Sequence, residues 1–389
     1  MFKIVLVFGT RPEAIKMAPV ILELYKYPLE FKTIVCVTGQ HRQMLDQVLN
    51  LFDIKPDYDL DIMKPDRDLY DIFSQTLLKI RHVFGESKPD LVIVHGDTST
   101  SIAAALAAFY KQIPVAHVEA GLRTNNIYNP WPEEMNRQLT SRISSYHYVP
   151  TRRAMSNLLK ENIKRNNIIV TGNTVIDTLR LALHRIEESS LIKRDLNLEI
   201  IQKGYDIRRL TKSRSLILIT GHRRENFGEG LENICKAILI LSEKYPEFDF
   251  LYPVHLNPNV RRSVHKILKN QPTGNIYLTD PLDYLPFIYL MQRSYLIITD
   301  SGGIQEEAPF LSKPVLVLRD NTERPEALEA GTIKLIGTNC DRIVRYVSQL
   351  IDNPSEYQKM VNMKNPYGDG KAASRILKHL FKLKNSIKH

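Results

Sequence analysis

Cysteine is scarce in this chain, which has only three among 389 residues. Cys36, Cys235 and Cys340 are far apart in the sequence and none belongs to a CxxC pair. This spacing argues against a disulfide framework or a zinc knuckle and favours a reducing compartment, so we expect a cytoplasmic protein. The histidines do not show the i, i+4 or HxxH spacing of a metal site, and we expect no bound metal.

Long apolar runs are also missing. No segment approaches the roughly 20 apolar residues that a membrane helix needs, so we expect no membrane partner. The N-terminal run FKIVLVF is short and continues directly into Gly9-Thr10-Arg11. We therefore interpret it as a first strand rather than as a signal peptide.

Positive charge is in excess, and the net charge of +10 raises the possibility of nucleic-acid binding. The excess is concentrated in residues 151–215 and 371–389, away from the segments that are rich in motifs. We interpret these two stretches as solvated surface and expect no nucleic-acid partner.

Apolar strand-like runs alternate with helical patterns along almost the whole sequence. Continuous apolar strands joined by helices indicate parallel sheets that are covered on both faces. A chain of 389 residues is long enough for two cores. We predict an α/β fold of two doubly wound Rossmann-like domains facing a cleft, residues 1–178 and 179–370, with the polar segment 186–213 as a crossing. The predicted strands are KIVLVF, TIVCVT, DLVIVHG, IPVAHVE, YHYVP, NIIVTG, SLILIT, FDFLYPV, NIYLTD, SYLIITD, KPVLVLR and TIKLIG.

The motif FGTRPEAIKMAP follows the first predicted strand. Thr10 and Glu13 have the spacing of a capping box, so a helix is expected to begin here. The free N–H groups of its first turn, together with Arg11 and Lys16, suit an anionic ligand in the region where parallel sheets bind ligands. A plain capped helix with exposed basic side chains is the alternative.

A second motif that suits an anionic ligand is TDSGGIQEEA, residues 299–308. Ser301-Gly302-Gly303 lets the backbone approach a phosphate closely at a helix N-terminus. Glu306 and Glu307 either complement the helix dipole or, for one of them, bind a ribose diol. The chain has neither a GxGxxG fingerprint nor a Walker loop, so we expect no nicotinamide or other cofactor.

Three carboxylates, Asp97, Glu119 and Glu133, lie at predicted strand ends or beside the Trp131-Pro132 corner. Next to phosphate-binding groups, such carboxylates suit acid–base catalysis on a group attached to a diphosphate. The alternative for Asp97 is a purely structural helix N-cap.

Many long motifs in order make this chain resemble the bacterial non-hydrolysing UDP-N-acetylglucosamine 2-epimerases, over residues 3 to about 376. The resemblance implies the two-domain glycosyltransferase-B type of fold, a C-terminal helix (371–389) that packs back on the first domain, and a homodimer. The motifs are FGTRPEAIKMAP, TGQHRQMLDQV, VHGDTSTS, HVEAGLRT, PWPEEMNR, TGNTVIDT, GHRRENFGEG, YPVHLNPNV, TDSGGIQEEAP, RDNTERPEA and NPYGDGKAA.

By resemblance, the catalytic carboxylates are Asp97, Glu119 and Glu133. The family interconverts UDP-GlcNAc and UDP-ManNAc by eliminating UDP to give 2-acetamidoglucal and then adding it back, in the synthesis of cell-surface polysaccharide precursors. Where some members have a glutamine contact, this chain has Leu282. The implied nucleotide and phosphate contacts are Arg11, Lys16, His222, Phe287, Ser301, Gly302, Gly303, Glu307 and Arg324.

In some bacterial relatives UDP-GlcNAc also binds at an activating effector site beside the active site. The matching positions here are Gln40, His41, Gln43, Arg67 and His255, for which simple loop packing is the alternative. Two other enzyme functions fit the same motifs: a 2-epimerase for a UDP-diacetamido-uronic acid, and a glycosyltransferase of the same fold.

Overall fold

The computed structural model describes residues 1–40, 42–63, 67–210, 213–269, 271 and 273–387, and the chain divides into two compact units. The first unit comprises Met1–Arg180 together with the chain from Tyr367 onward, and the second comprises Leu181–Pro366. Each unit contains one parallel β-sheet with helices between its strands.

The sheet of the first unit has seven strands in the order β3-β2-β1-β4-β5-β6-β7. Every predicted run of this half forms a strand, and the two-residue β3 is an addition that its short polar sequence did not indicate. All of the strand pairs described in this sheet are parallel. The strands are β1 (Phe2–Phe8), β2 (Phe31–Val37), β3 (Tyr58–Asp59), β4 (Leu91–His95), β5 (Val115–Val118), β6 (Tyr146–Val149) and β7 (Ile168–Val170).

The central strands β1 and β4 have almost no solvent-exposed side chain, which shows that both faces of this sheet are covered by helices. Gly9 directly follows β1 and is separated from the first helix by the N-cap residue Thr10. A Cβ atom on Gly9 would be only 1.9 Å from Thr38 Oγ1, so no other residue fits. The helices are α1 (Arg11–Tyr25), α2 (Arg42–Leu51), α3 (Leu69–Ser87), α4 (Ser99–Tyr110), α5 (Glu133–Ile143), α6 (Arg152–Lys160) and α7 (Thr174–Glu188), the last of which continues into the second unit.

The sheet of the second unit has six parallel strands in the order β10-β9-β8-β11-β12-β13. All six predicted runs form strands, namely β8 (Ser215–Thr220), β9 (Phe248–Pro253), β10 (Ile276–Thr279), β11 (Ser294–Thr299), β12 (Val315–Val317) and β13 (Ile333–Leu335). Within residues 186–213, which we interpreted as a crossing, helix α8 (Ser190–Gln202) packs on α11 of this unit. The other helices are α9 (Glu229–Lys244), α10 (Pro258–Leu268), α11 (Tyr284–Arg293), α12 (Gly302–Glu307), α13 (Pro325–Glu329), α14 (Cys340–Asp352) and α15 (Pro354–Val361).

The last helix, α16 (Ala372–Ile387), packs on the first unit. Its N-terminus is capped from a distance by Asp177 of α7, whose carboxylate accepts the backbone N–H groups of Ala372 at 3.0 Å and Ala373 at 2.9 Å. Near its other end, the ring of Phe381 contacts Phe31 edge-on at 4.9 Å between centroids.

The predicted fold class is confirmed: the chain forms two doubly wound parallel α/β domains, each with a covered sheet. No helix within the described ranges is long and apolar enough to cross a membrane.

Candidate functional site

Asp97 lies in the turn between β4 and α4. Thr98, and not Asp97, is the N-cap of α4, since the Thr98 hydroxyl accepts the backbone N–H of Ser101 at 3.2 Å. The interpretation of Asp97 as a helix cap is therefore wrong. Its carboxylate instead accepts two hydrogen bonds on Oδ2 from Arg137, from Nη2 at 2.5 Å and from Nε at 3.1 Å.

Arg137 is a buried guanidinium on α5 that joins two carboxylates. Its Nη1 donates to Glu134 Oε2 at 3.2 Å, on the preceding turn of the helix. Glu134 has no exposed surface and also accepts the backbone N–H groups of Thr124 and Asn125. Burial raises the pKa of Glu134, but hydrogen bonds from Gln138 and Thr124 and the charge of Arg137 bring it below its usual value. Glu134 therefore fixes the loop that precedes α5.

Glu133 is the first residue of α5 and is half-buried. Residues four apart share a face of a helix, so Glu133 lies on the same side as Arg137. Asn136, between them, donates to the backbone oxygen of Asp97 at 2.9 Å. The start of α5 thus brings Glu133 toward the turn that carries Asp97.

Glu119 follows β5 in a left-handed backbone conformation, with φ of 62°. Its Oε2 accepts hydrogen bonds from Lys16 Nζ and, at 2.7 Å, from Asn173 Nδ2. His95 Nε2 is 3.9 Å from the same oxygen. Burial lowers the pKa of His95 to about 4, so this imidazole is neutral at physiological pH.

The turn after β4, which carries Asp97, lies beside Glu119. A Cβ atom built on Gly96 would lie 4.0 Å from Glu119 Oε1, so the backbone next to Asp97 passes beside Glu119. The first unit therefore brings Asp97, Glu119 and the start of α5 to one edge of the sheet, where the strand-end argument predicts a site.

The predicted capping box at the start of α1 is confirmed. Glu13 accepts the backbone N–H groups of Gly9 at 3.0 Å and Thr10 at 2.8 Å, and also the hydroxyl of Thr98 at 2.6 Å. The buried Glu13 carboxylate therefore ties the starts of α1 and α4 together. Arg11, the first residue of α1, is half-buried.

In the second unit, the Ser301-Gly302-Gly303 turn packs against Arg324. A Cβ atom on Gly302 would lie 2.6 Å from Arg324 Nη1, so a side chain there would displace the guanidinium from its present position. Arg324 donates from Nε to the buried Glu306 at 2.6 Å. Two residues that the resemblance assigns to the nucleotide, Gly302 and Arg324, are thus direct neighbours.

Glu307 is buried at the end of α12 and accepts the hydroxyl of Tyr284 at 3.0 Å. Phe287 follows Tyr284 by three residues on α11, which places the two side chains on one face of that helix. Glu306 and Glu307 therefore differ in surroundings: Glu306 binds Arg324, whereas Glu307 faces Tyr284.

His222 lies just beyond β8 and is 41% exposed. Its Nδ1 is 3.2 Å from Oδ1 of the fully buried Asp300, which follows β11. The ring of His255 stacks on His222 with centroids 5.4 Å apart and planes 18° apart.

Of the predicted effector residues, Gln40 and Arg67 belong to the first unit and His255 to the second. Gln40 Oε1 accepts the hydroxyl of Thr100 at 3.4 Å, and Arg67 Nη1 donates to the backbone oxygen of Ile62. His41 and the side chain of Gln43 lie outside the described residues.

Comparison with known proteins gives consistent matches over nearly the whole chain. The family model for UDP-N-acetylglucosamine 2-epimerase matches residues 23–381. A Yersinia pestis UDP-N-acetylglucosamine 2-epimerase is 54% identical over 97% of this chain and 98% of its own length. The chain belongs to the UDP-N-acetylglucosamine 2-epimerase family. The crystal structure of the Neisseria meningitidis UDP-GlcNAc 2-epimerase bound to UDP-GlcNAc is also similar, with a TM-score of 0.90 and 52% identity, covering 98% of this chain and all of that one.

In this member of the family, several residues that support the predicted site were not singled out from the sequence. Arg137, Asn173 and Asp300 each contact a predicted site residue. All three belong to motifs identified in the sequence, namely PWPEEMNR, TGNTVIDT and TDSGGIQEEA. A sequence motif does not show which distant side chain a residue contacts. No cluster of three or more metal-ligating side chains occurs among the residues described.

Proposed function

We propose that this chain interconverts UDP-GlcNAc and UDP-ManNAc by elimination and re-addition of UDP. The observation that most strongly supports this is the surroundings of Glu119. Its carboxylate is held by Lys16 and Asn173 beside the turn that carries Asp97. The family membership and the UDP-GlcNAc complex of the Neisseria relative agree with this assignment.

Elimination is the route that the chemistry of the substrate favours. The C2 hydrogen has no adjacent carbonyl, so direct removal of its proton would produce an unstabilised carbanion. When the C1–O bond breaks as a carboxylate takes the C2 proton, the product is the neutral 2-acetamidoglucal and the electron pair leaves with UDP. Return of a proton to the opposite face of C2, with UDP adding back at C1, completes the inversion.

Asp97, Glu119 and Glu133 divide the removal and the return of the C2 proton among them. Arg137 holds Asp97 by two hydrogen bonds to one oxygen, which leaves the other carboxylate oxygen for the sugar. Lys16 and Asn173 hold Glu119 through hydrogen bonds to its Oε2. Fixed carboxylates of this kind need little reorganisation during proton transfer.

The proposal assigns the UDP group to residues of the second unit, and by resemblance it also includes Arg11 and Lys16 among the phosphate contacts. Arginine matches phosphate oxygens with two parallel donors. Helix α12 begins at Gly302, beside Arg324, and backbone N–H groups at a helix start suit a phosphate. The Glu307 carboxylate suits the ribose diol and Phe287 suits an apolar or ring contact. The remaining phosphate contacts in this proposal are His222, Ser301, Gly302 and Gly303.

Incubation with UDP-GlcNAc in the absence of any acceptor tests this function. NMR of the sugar should show UDP-ManNAc accumulating to a constant ratio with UDP-GlcNAc. No change without an acceptor would point to a glycosyltransferase. Conversion of a UDP-diacetamido-uronic acid but not of UDP-GlcNAc would assign the other epimerase activity.

We also propose that the protein is a cytoplasmic homodimer that supplies a precursor for cell-surface polysaccharide. Large apolar side chains are exposed on three neighbouring helices of the first unit, with Leu78 on α3, Phe109 on α4 and Leu139 on α5. Exposed apolar groups that form a contiguous patch are typical of interaction surfaces, and neighbouring helices place these three side chains on one part of the first unit. Light scattering of the purified protein measures the number of chains directly.

UDP-GlcNAc is further proposed to activate the enzyme through Gln40, His41, Gln43, Arg67 and His255. If it does, conversion that starts from pure UDP-ManNAc should begin slowly and accelerate after a small addition of UDP-GlcNAc. A prompt linear rate from UDP-ManNAc alone would count against the effector site. Arg67→Met is the preferred variant for this test, because it leaves the predicted substrate contacts in place. A His255 variant is less suitable, because the His255 ring stacks on that of His222.

A further inference from the structure

Asp300 is a fully buried carboxylate that the proposed reaction does not use directly. It lies beyond the end of β11, beside the loop that carries His222. Its Oδ2 accepts the backbone N–H groups of His222 and Arg223, both at 2.9 Å, and the side-chain amide of Asn226 at 3.1 Å. One oxygen of Asp300 therefore holds the whole loop from His222 to Asn226.

The other oxygen of Asp300 faces the imidazole of His222. Oδ1 is 3.2 Å from His222 Nδ1, an ion-pair contact, and accepts no hydrogen bond of regular geometry in the part of the chain that is described. Burial raises the pKa of Asp300, but the contact with His222 and the backbone N–H groups bring it below its usual value. The carboxylate is therefore ionised at neutral pH, and it requires a proton on Nδ1 of the histidine.

We infer that Asp300 is a positioning residue for His222, which it orients and keeps cationic while UDP leaves. With the proton on Nδ1 fixed by Asp300, a protonated His222 presents a second N–H, on Nε2, to the diphosphate. As the C1–O bond breaks, the electron pair stays on the phosphate oxygen, and the Nε2–H hydrogen bond stabilises that charge. This inference rests on the proposed function, since it assigns the leaving group to His222.

The other ionisable groups around His222 are compatible with one positive charge on that ring. His255 stacks on it, and burial, followed by the charge of His222, lowers the pKa of His255. Tyr252 donates its hydroxyl to the backbone oxygen of Gly221 at 3.1 Å, and burial raises its pKa, so it stays neutral. Arg223 is directed toward Glu323, with 3.6 Å between Nη2 and Oε1. Of the two stacked histidines, His222 is the one in contact with the carboxylate.

Replacing Asp300 by asparagine separates this role from loop packing. Three donors converge on Oδ2, so the amide oxygen of Asp300→Asn must take that position and its NH2 group must face His222 Nδ1. An NH2 donor there requires a lone pair on Nδ1, which moves the histidine proton to Nε2 and removes the cation. We expect kcat to fall about 10- to 100-fold, the usual effect of losing a supporting partner, with a smaller change in KM. The alkaline limb of the kcat profile should move to lower pH.

Asn226→Ala is the matched control, because it removes a donor to the same carboxylate and loosens the same loop without changing its charge. Its kcat should fall less than that of Asp300→Asn, and its pH profile should keep the wild-type shape. Equal losses in the two variants with unchanged pH profiles would overturn the inference and leave Asp300 a purely structural residue.

A second readout does not depend on catalysis. In ¹⁵N-histidine-labelled protein, the His222 ring should carry a proton on both Nδ1 and Nε2 in the wild type and on Nε2 alone in Asp300→Asn. The same protonation pattern in both proteins would overturn the inference even if the wild type epimerises UDP-GlcNAc. If the wild type does not epimerise but the two proteins differ in protonation as expected, the proposed function is refuted and the Asp300–His222 pairing remains.

Discussion

Replacing Glu119 by glutamine lowers the rate of epimerisation by about 10²- to 10⁴-fold, the usual contribution of general acid–base catalysis. The amide keeps the size of the side chain and can still accept the hydrogen bonds of Lys16 or Asn173, but it cannot carry a proton. Asp97→Asn and Glu133→Gln are expected to have losses in the same range. UDP affinity, measured by calorimetry, should change far less, because the groups assigned to UDP are intact.

Asp90→Asn is the matched control for this series. Asp90 precedes β4 and accepts the backbone N–H of Lys3 at 2.8 Å, whereas Asp97 follows the same strand at its other end. An asparagine oxygen can keep that hydrogen bond, so the variant should epimerise at nearly the wild-type rate. Wild-type rates in all three site variants would remove the carboxylate mechanism. Parallel losses of rate and UDP affinity would instead indicate a role in binding.

Replacing Arg137 by methionine should lower the free energy of unfolding at pH 7 by about 3 to 5 kcal/mol, the cost of leaving buried charges without their partner. Methionine preserves most of the apolar stem but leaves Asp97 and the fully buried Glu134 without the guanidinium between them. Chemical denaturation, read by circular dichroism, measures the difference. Arg142→Met is the control on the same helix, and because Arg142 is exposed we expect a change within about 0.5 kcal/mol.

The destabilisation of Arg137→Met should depend on pH in a defined direction. The folded-state pKa of Glu134 is below its usual value, so its ionised form stabilises the fold at neutral pH, and this contribution is lost as the pH falls through that pKa. The difference in stability between wild type and variant should therefore shrink as the solution is acidified. A difference that stays constant from neutral to acid pH would indicate lost packing of the arginine stem and not a lost ion pair.

The fold was largely predictable because both sheets are buried on two faces. Strands such as KIVLVF and SLILIT are continuous apolar runs, and their order with the intervening helices fixes a parallel α/β architecture. The two-residue β3, Tyr58–Asp59, carries too little sequence signal to be recognised. Helix α8 was missed because charged and apolar residues are mixed around it and only Leu196 and Ile200 are buried.

The contacts between side chains at the candidate site could not be predicted from the sequence. Position at a strand end singles out Asp97 and Glu119, because parallel strands end at one edge of a sheet. Glu134, and not Glu133, has a structural role because it accepts the backbone N–H of Thr124. A sequence pattern does not show where the loop at Thr124 lies. The same holds for Arg137, whose partner Asp97 is 40 residues away in the chain.

The proposed mechanism requires a carboxylate to remove the C2 proton and another group to return a proton to the opposite face. The most direct measurement is NMR of the product formed from UDP-GlcNAc in D2O, without acceptor or added cofactor. We expect UDP-ManNAc that carries deuterium at C2. Recovered UDP-GlcNAc should also become deuterated at C2 as the reaction approaches equilibrium. UDP-ManNAc that retains full protium at C2 would contradict the proton-transfer mechanism.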